Sequence, residues 1–595
     1  DLSRNRTVGI GLGRGQTLRE VLAGMSQVAE GVKTTRSAHD LAARLGVEMP
    51  ITDAMYRIVY QPVAHAPILV LMILSVATHF VLDGLALVAF GPDGARTAAF
   101  SDAQFEVAGE IVSAQNLIVL AVSLLLVAVL YGFSQHTMAG RALRATASNR
   151  RGAALMGISA DMAGLSSFGL ATLICATAGI LIAPFVTIYY NSGFLISLKA
   201  FVGATVGAMA SYPLAAAGAL MIGLFESFAA FWSSAYKESL VFALMVPILL
   251  GCSWLARPAA DDEQERSADE GANPHSAVAR LQRLLQRVPA RAATVVLILL
   301  LAALPVLLSR FYLMLASYVF LFAIVTYGVV LLTGVAGQVS FGQAAFVGIG
   351  AYASAVLTTS CAASQGLSHV LGSAAPLLLG TGSCGVSPWA ALPAALMVTV
   401  GCAWLLGAVT LRMRGHYLPI ATIAWSVSLF YLFANTDSIG ASSGMTDLPP
   451  VPLPLADTMS YEARVYCLIL AAMLLLGWMT RNLLDSRTGR AIRALKSRSL
   501  MAESVGVNIA QMKIHVFVCA AVYAGLSGWL YAHMQRFINP TSFGLDKSVE
   551  YVFMAVVGGV EQVVGAVLGA AAVRLLGDSI QTALQAGILA QAGNV

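Results

Sequence analysis

The chain has 595 residues, of which 58% are hydrophobic and only 11% are charged, with a formal net charge of +5. An ordinary soluble domain has roughly 25% charged residues, so a chain with a mean hydropathy of +0.77 would expose much apolar surface to water. The composition therefore predicts that most of the chain lies in lipid. The sequence has no basic stripe interleaved with aromatic residues, which excludes nucleic acid as a partner. Seven cysteines without a CxxC pair argue against a structural zinc site.

Residues 1–62 differ in composition from everything that follows. They are charged and helically periodic, as in Arg19 to Ala43, and contain no long apolar run. They have no basic start followed by an apolar core, which argues against a signal peptide. We predict a small soluble helical segment that is a fragment of a larger domain.

From residue 66 onward, apolar runs recur in two groups, each run near the ~20 residues needed to cross ~30 Å of hydrocarbon. The first group comprises Ala66–Phe90, Asn116–Phe133, Leu165–Val186, Leu198–Leu224 and Leu240–Leu255. The second comprises Ala292–Leu308, Ser317–Leu332, Ala344–Leu357, Trp389–Leu411, Tyr417–Ala434, Val465–Met479, Ile514–His533, Val549–Ala571 and Ala572–Ala592.

A charged linker separates two membrane domains. Residues 257–291 are rich in Asp, Glu, Arg and Pro, and they divide a first domain, 63–256, from a second, 292–595. We predict an all-α polytopic membrane protein. Short loops rich in Lys and Arg stay in the cytoplasm, which places Ser134–Gly164, Arg481–Lys513 and the N-terminus there. The linker is also cytoplasmic if Leu198–Leu224 enters and returns as a hairpin broken around Ser211–Pro213.

The two basic loops form an internal repeat at an offset of 349 residues. Five residues in each loop match at fixed spacing: Gly140, Arg141, Ala142, Arg144 and Gly157 align with Gly489, Arg490, Ala491, Arg493 and Gly506. The match continues into the following apolar segments, where Phe194 aligns with Phe543. Two copies of a membrane domain in one chain predict a pseudo-twofold transporter with its pathway between the halves.

Each basic loop offers a short helix of small residues that ends at a glycine, which suits close docking by a partner. In this respect the chain resembles permeases of ABC importers, whose cytoplasmic loop seats in a groove of the ATPase subunit. The motif ESVG, with Glu503 and Gly506, resembles the family's loop motif. The first copy, GAALMG, lacks the acidic residue.

Within that superfamily, residues 290–590 resemble one subunit of the branched-chain amino-acid permease pair. The resemblance rests on GVAGQVSFGQAAFVGIGAYA, RGHYLPIATIAW and NPTSFGLDKSVEYVFMAVVGG. Residues 63–256 resemble only the C-terminal part of the other subunit, through GRALRATASNRRGAALMGI and GFLISLKAFVGATVGAM. The hydrophobic N-terminal part of that subunit is missing. The resemblance implies two permease-like helical domains, the first of them truncated, in a bacterial inner membrane.

The resemblance also implies partners. No GxxxxGK[ST] occurs in the chain, and ATP hydrolysis needs such a phosphate-cradling loop. We therefore expect separate ABC ATPase subunits to use ATP, while this chain binds no cofactor and is not an enzyme. A periplasmic or extracellular amino-acid-binding protein and an intact first permease subunit are further expected partners, besides membrane lipid. Related members carry urea or short amides, and that alternative stays open.

Residues 1–62 resemble the C-terminal end of NAD(P)-dependent glycerol-3-phosphate dehydrogenase. By that resemblance Ser3, Arg4 and Asn5 match substrate contacts, and Arg4, Val28 and Glu30 match cofactor contacts. The dinucleotide-binding half and the catalytic lysine of that family lie upstream of the matching part, so we expect an inactive remnant. A membrane-anchored remnant of this enzyme is an alternative reading of the whole chain.

A glycine-rich break between apolar runs suggests the translocation path. Gln338, Ser340 and Gly342 lie in it, where unwound backbone would face a small zwitterion; helix packing through small residues is the other interpretation. Tyr417 is a gate or an interfacial anchor.

Three further features leave alternatives open. His79 and Asp83, one turn apart in the first run, form a proton relay or a satisfied packing pair. Cys361 and Cys384 share an external loop that permits a disulfide. A secondary transporter driven by ions would need charged pairs deep in several spans.

Overall fold

The computed structural model describes residues 68–107, 110–206, 211–255, 300–359, 385–413, 417–453, 459–497, 499–504 and 506–592. The chain divides into two compact units, Asp1–Phe194 and Leu195–Val595. Within the described residues, seven helices are long and apolar enough to cross a membrane. Helices dominate because each helix satisfies its own backbone hydrogen bonds, which lipid cannot do. The predicted all-α polytopic fold is confirmed.

In residues 68–107 and 110–194, the described part of the first unit, helices accompany one small hairpin of strands. Its elements are α1 (Ile68–Phe90), β1 (Gln104–Val107), β2 (Glu110–Ser113), α2 (Ala114–His136), α3 (Met138–Ser148), α4 (Arg150–Leu155) and α5 (Ala160–Ile182). The two strands are antiparallel, with Gln104 opposite Ser113. Helix α6 (Ser192–Val206) crosses the boundary between the units.

The second unit contains the remaining helices. They are α7 (Tyr212–Trp232), α8 (Lys237–Leu255), α9 (Arg310–Val329), α10 (Gln343–Thr359), α11 (Pro388–Thr410), α12 (Tyr417–Asn435), α13 (Tyr461–Asp485), α14 (Arg487–Ser497), α15 (Ser499–Ser504), α16 (Ile509–Gln535), α17 (Leu545–Gly558) and α18 (Val563–Ala592). A π-helix, Val330–Val335, continues α9, and 3₁₀ turns lie at Asp437–Ile439, Ala441–Ser443 and Pro540–Phe543. Residues 300–307 are also helical.

The repeat inferred from the loops is a repeat of secondary structure. Helices α3 and α14 have equal lengths, as do α4 and α15, and each pair starts 349 positions apart. An isolated antiparallel bridge joins Ala95 to Ile188 in the first copy, and another joins Met445 to Ile538 in the second. These bridges are 350 positions apart at both ends, so the loops that contain them repeat as well as the helices.

The segment Leu198–Leu224 turns back on itself. Helix α6 ends at Val206 and α7 begins at Tyr212. A Cβ atom at Gly203 would lie 3.0 Å from the backbone of Ala219. A continuous helix would hold residues 16 positions apart at roughly 24 Å, so the chain forms a hairpin there, as predicted.

The second copy requires a correction. The prediction treated Val549–Ala571 as one apolar run and Ala572–Ala592 as another. Instead the chain breaks between α17 and α18, which are bent by 118°, and α18 continues without interruption to Ala592. The turn contains Gly559, whose φ of +101° favours glycine. The sequence marks this turn with Gly558, Gly559, Glu561 and Gln562, although the predicted run continued across it.

Helix α9 lies at the centre of the second unit. Its central residues are buried, and it packs against α13, α16, α17 and α18. Helices α10 and α16 pack most extensively, because glycines let their backbones meet: a Cβ atom at Gly350 would lie 2.3 Å from the carbonyl oxygen of Gly525. Small residues at such crossings are typical of helices that associate in membranes.

Candidate functional site

The predicted break lies in the core of the second unit. After the π-helix the chain runs non-helically from Gly337 to Gly342 and then enters α10. Neighbouring helices accept hydrogen bonds from the break and from the first turn of α10: Phe341 N–H donates to Oγ1 of Thr422 at 3.1 Å, and Ala344 N–H donates to Oγ of Ser548 at 3.0 Å. Unwound backbone within a membrane requires such partners, so two other helices hold this break in place.

Polar side chains without partners lie in the break and along the two helices beside it, α10 and α12. The side-chain amides of Gln338 and Gln343, the hydroxyls of Tyr352 and Ser426 and the indole N–H of Trp425 are buried and make no hydrogen bond to the described residues. None of these five residues is more than 4% exposed. A buried polar group without a partner costs about 1–3 kcal/mol, and a cluster of five suggests groups arranged for an occupant other than the protein itself.

One face of α12 supplies two of these groups. Thr422, Trp425 and Ser426 are spaced by three and four residues, so they share a face of the helix. The Trp425 ring centroid lies 4.9 Å from that of Phe346 on α10. Further along, Phe433 stacks on Tyr352 with centroids 4.7 Å apart. Helices α10 and α12 therefore meet along a seam of aromatic rings and unpaired polar groups, which we call the orphan seam.

The predicted path residues differ in what holds them. Gln338 is 4% exposed and its amide is unpaired, as expected for a lining residue. Ser340 accepts a hydrogen bond from Gly342 N–H at 3.4 Å. Gly342 packs against Trp425, which matches the small-residue interpretation. Tyr417 begins α12, and its side chain lies outside the described residues.

The two basic loops have the same local geometry. Gly157 follows the end of α4 with φ +79°, and Gly506 follows the end of α15 with φ +84°. Ile158 N–H donates to the carbonyl of Ala153, and Val507 N–H donates to that of Ala502, both at 3.0 Å. These bonds complete the glycine-dependent helix ending known as the Schellman motif. We call the two short helices α4 and α15 the docking helices.

The docking helices expose their tips. Ala153 and Ala502 are buried at 5% and 3%, whereas Leu155 and Met156 are exposed at 82% and 81%. Glu503 and Gly506 are exposed as well. The buried alanines fix each helix to its own domain, and the exposed tips remain free for a partner.

Glycine and arginine hold the helices that precede the docking helices. A Cβ atom at Gly140 would lie 2.2 Å from the Phe133 carbonyl oxygen, and one at Gly489 would lie 2.3 Å from that of Leu483. Four arginines were also predicted here. Arg141 Nε donates to Gln135 O at 3.4 Å, Arg490 Nη1 to Asp485 O at 3.4 Å and Arg493 Nη2 to Leu484 O at 2.5 Å, while Arg144 is exposed. Three of the four therefore bind carbonyls at the end of the preceding helix, where a cation is favourable.

A lysine connects the second loop to the break. Lys496, near the end of α14, donates to the Gly334 carbonyl at 3.0 Å, where the π-helix ends. It also pairs with Glu561 at 2.5 Å, in the turn between α17 and α18. The equivalent residue in the first copy is Ala147. Lys496 therefore connects α14, the helix before the second docking helix, to the end of the π-helix, and alanine at the equivalent position of the first copy cannot form these contacts.

Helix α8 contacts the outer face of α12. Ser239 and Ser428 exchange hydrogen bonds, each hydroxyl donating to the other residue's carbonyl at 2.8 Å, and the Phe242 and Tyr431 rings stack. Nearby, Lys199 pairs with Glu226 at 2.8 Å and with Glu238 at 2.9 Å. Residues 195–255 therefore pack against the near-complete second domain.

Other predicted residues have simpler outcomes. His79 and Asp83 lie 3.4 Å apart, and the His79 ring packs 5.2 Å from that of Phe194; the contact is present, and the choice between relay and packing pair stays open. The pair Cys361 and Cys384 lies outside the described residues. So do the dehydrogenase-like residues Ser3, Arg4, Asn5, Val28 and Glu30.

The comparisons with known proteins cover nearly the whole chain. The family model described as branched-chain amino acid transport system / permease component matches residues 52–249 and 311–592. The chain belongs to this permease family. It is a multi-pass membrane transport permease, and its two matching regions correspond to the two copies of the repeat.

Individual related proteins show a similarity to the same family. The chain is 28% identical over 297 residues to the high-affinity branched-chain amino acid transport system permease protein LivM of Salmonella typhimurium, which covers 46% of this chain and 64% of that protein. It is 29% identical over 299 residues to LivM of Escherichia coli, which covers 46% of this chain and 65% of that protein. The chain thus spans less than two thirds of the length of these relatives. No solved structure matches the chain.

The N-terminal resemblance is also confirmed. Residues 1–69 match the model described as NAD-dependent glycerol-3-phosphate dehydrogenase C-terminus. They are 64% identical over 61 residues to glycerol-3-phosphate dehydrogenase [NAD(P)+] of Citrifermentans bemidjiense, but this covers only 18% of that enzyme. The permease is therefore fused to a short fragment of an unrelated enzyme family.

Sequence reasoning missed several residues of the site. Gln343 and Trp425 stand inside motifs that carried the resemblance, yet neither was predicted as a path residue. The available signal was polarity within an apolar helix. Arg574 was missed too, although it is an arginine in the middle of an otherwise apolar stretch, and such residues in membrane segments usually have a function.

Proposed function

We propose that this permease is a translocation subunit of an ATP-driven importer of branched-chain or related small amino acids. Separate ATPase subunits supply the energy through the docking helices, and an external binding protein delivers the amino acid. In this proposal the chain itself binds no nucleotide and no other cofactor. It lies in a bacterial inner membrane with its N-terminus in the cytoplasm.

The repeated docking helix carries the proposal. Two helices with the same ending, at Gly157 and Gly506, present exposed tips at an identical spacing from a tightly held glycine. A twofold motor of two similar subunits requires two such contacts. Lys496 gives the second contact a route to the break through Gly334, so force on the docking helix would reach the orphan seam.

Within the described residues, the first copy contains no equivalent of that break. The dehydrogenase match covers residues 1–69, on the N-terminal side of that copy's described helices. We propose that an intact first permease subunit associates with the second domain in the working importer. In this proposal the residues that match the dehydrogenase C-terminus take no part in transport.

Uptake of labelled leucine into membrane vesicles tests the proposal. The vesicles contain the chain, ATPase subunits, an intact first permease subunit and the binding protein. They should take up leucine when ATP is supplied on the side of the membrane where the ATPase subunits lie. Vesicles without the ATPase subunits should not accumulate it. Accumulation driven by a proton or sodium gradient alone would indicate a secondary transporter, with Lys199 and its two glutamates as the charged cluster.

Competition distinguishes the remaining alternative. Excess unlabelled isoleucine or valine should suppress leucine uptake, whereas urea and acetamide should leave it unchanged. Urea uptake in place of leucine uptake would assign the permease to the amide-carrying branch.

A further inference from the structure

A polar cavity lies in the second unit, next to the orphan seam: Phe543, which lines the cavity, contacts Tyr352 of the seam with ring centroids 5.9 Å apart. It has a volume of about 190 Å³ and lies between helices α9, α10, α16, α17 and α18. Its lining combines aromatic rings with two cations, among them Tyr318, Phe322, Tyr531, Lys547, Tyr551 and Arg574. Ligand pockets are usually about 300–1,000 Å³, so this cavity suits a molecule of only a few heavy atoms.

Arg574 is the unbalanced charge of the cavity. Its guanidinium carbon lies 5.3 Å from the ring centroid of Tyr318 and 5.9 Å from that of Phe322. Its Nε is buried and makes no hydrogen bond within the described residues, and no carboxylate there forms an ion pair with it. Aromatic faces compensate a cation only in part, and an arginine in a membrane-spanning hairpin is costly.

The other polar side chains of the cavity either have hydrogen-bond or ion-pair partners in the protein or have an O–H left to donate. Lys547 pairs with Glu550 at 2.8 Å. Tyr531 donates to Ser542 at 3.0 Å, and Ser542 donates to Asn539 at 2.9 Å. Tyr318 accepts a hydrogen bond from Gln535, so its own O–H remains to donate.

We propose that this cavity binds the carboxylate of a small aliphatic acid, with Arg574 as its charge partner and Tyr318 as a second donor. Arginine presents a planar fork that matches a carboxylate, and the rings of the lining accept a short alkyl group. The inference rests on the proposed function in one respect: the carboxylate belongs to the imported amino acid. A lipid headgroup phosphate is another anion that arginine binds. The inorganic phosphate and phosphatidylglycerol measurements below distinguish it from a carboxylate.

Calorimetric titration of the full chain in phosphatidylcholine nanodiscs tests the site directly. The probes are isovalerate, which keeps the carboxylate; isoamylamine, which keeps only the alkyl chain and a cation; and inorganic phosphate. Isovalerate should bind saturably, and the other two should bind at least tenfold more weakly. Arg574→Gln should weaken isovalerate binding by roughly tenfold or more, the loss expected for a charge-assisted hydrogen bond. Arg481→Gln, at an exposed position on α13, is the matched control and should leave it unchanged.

Several outcomes would overturn the inference. These are equal isovalerate affinity in Arg574→Gln, binding of phosphate or isoamylamine as tight as isovalerate, and displacement of isovalerate by phosphatidylglycerol in the disc. If Arg574→Gln fails to fold, Tyr318→Phe replaces it, with an expected three- to tenfold loss. Leucine uptake separates the two proposals. Arg574-dependent binding without uptake refutes the import function alone, and uptake with Arg574-independent binding refutes this site alone.

Discussion

The indole of Trp425 lies directly over Gly342: a Cβ atom at position 342 would be 2.3 Å from Cζ2 of the ring. The contact joins the break to α12 and leaves no room for a side chain. Trp425 is 3% exposed and its ring is held against Phe346, so it has little freedom to move aside.

Gly342→Ala should therefore destabilise the second domain by about 1–3 kcal/mol, the usual cost of overpacking. Trp425→Phe removes the atoms that would clash, so the double variant Gly342→Ala/Trp425→Phe should be more stable than Gly342→Ala alone. Thermal unfolding in detergent measures both effects. A Gly342→Ala protein as stable as the parent would show that the contact is loose.

Gln338→Leu and Gln343→Leu should separate stability from transport. Each variant removes a buried amide that has no partner, so the free energy of unfolding should stay the same or rise by about 1–3 kcal/mol. Leucine uptake should nevertheless fall roughly tenfold or more if these amides contact the solute. Gln511→Leu, at an exposed position at the start of α16, should change neither. If the variants are less stable but transport leucine normally, the amides have a structural role and do not contact the solute.

Gly506 separates backbone strain from bulk at the second docking helix. Because its φ is +84°, Gly506→Ala should cost about 1–2 kcal/mol locally, and Gly506→Asn should be tolerated better. The space beyond its Cα is open, so Gly506→Trp adds only an obstacle for a partner. Co-purification with the ATPase subunits should fail for Gly506→Trp and survive for Gly577→Trp, which also points into open space on α18. Retention of the ATPase by Gly506→Trp would contradict docking at this helix.

Lys496 should act on coupling rather than on assembly. Lys496→Glu breaks its contacts with the Gly334 carbonyl and with Glu561, so uptake per ATP hydrolysed should fall several-fold while the ATPase still co-purifies. The charge-swapped pair Lys496→Glu/Glu561→Lys should recover part of the coupling if the ion pair matters. Arg487→Gln, at an exposed position on the same helix, serves as the control. Parallel measurement of ATP hydrolysis and leucine uptake decides the outcome.

Local patterns predicted the repeat and the helices well, because apolar length and glycine spacing are properties of short segments. Gly157 and Gly506 were predicted as helix ends, and both adopt the left-handed conformation that such ends require. Long-range partners were not predictable in this way. Nothing near Gly342 in the sequence indicates Trp425, and nothing near Arg574 indicates Tyr318, because these contacts depend on how separate helices pack. The predicted apolar run Val549–Ala571 crossed the break between α17 and α18, although Gly559, Glu561 and Gln562 interrupt the apolar residues there.

The equal spacing of the two loops limits how the chain can vary. Between Gly140 and Gly157, and between Gly489 and Gly506, the number of residues is the same although most side chains differ. A single inserted residue would rotate everything after it by about 100° and advance it by about 1.5 Å, which would turn the exposed tip away from its mate. Outside the glycines and basic residues already described, substitutions should be tolerated in these loops, whereas insertions and deletions should be rare, because they would change the position of each exposed tip.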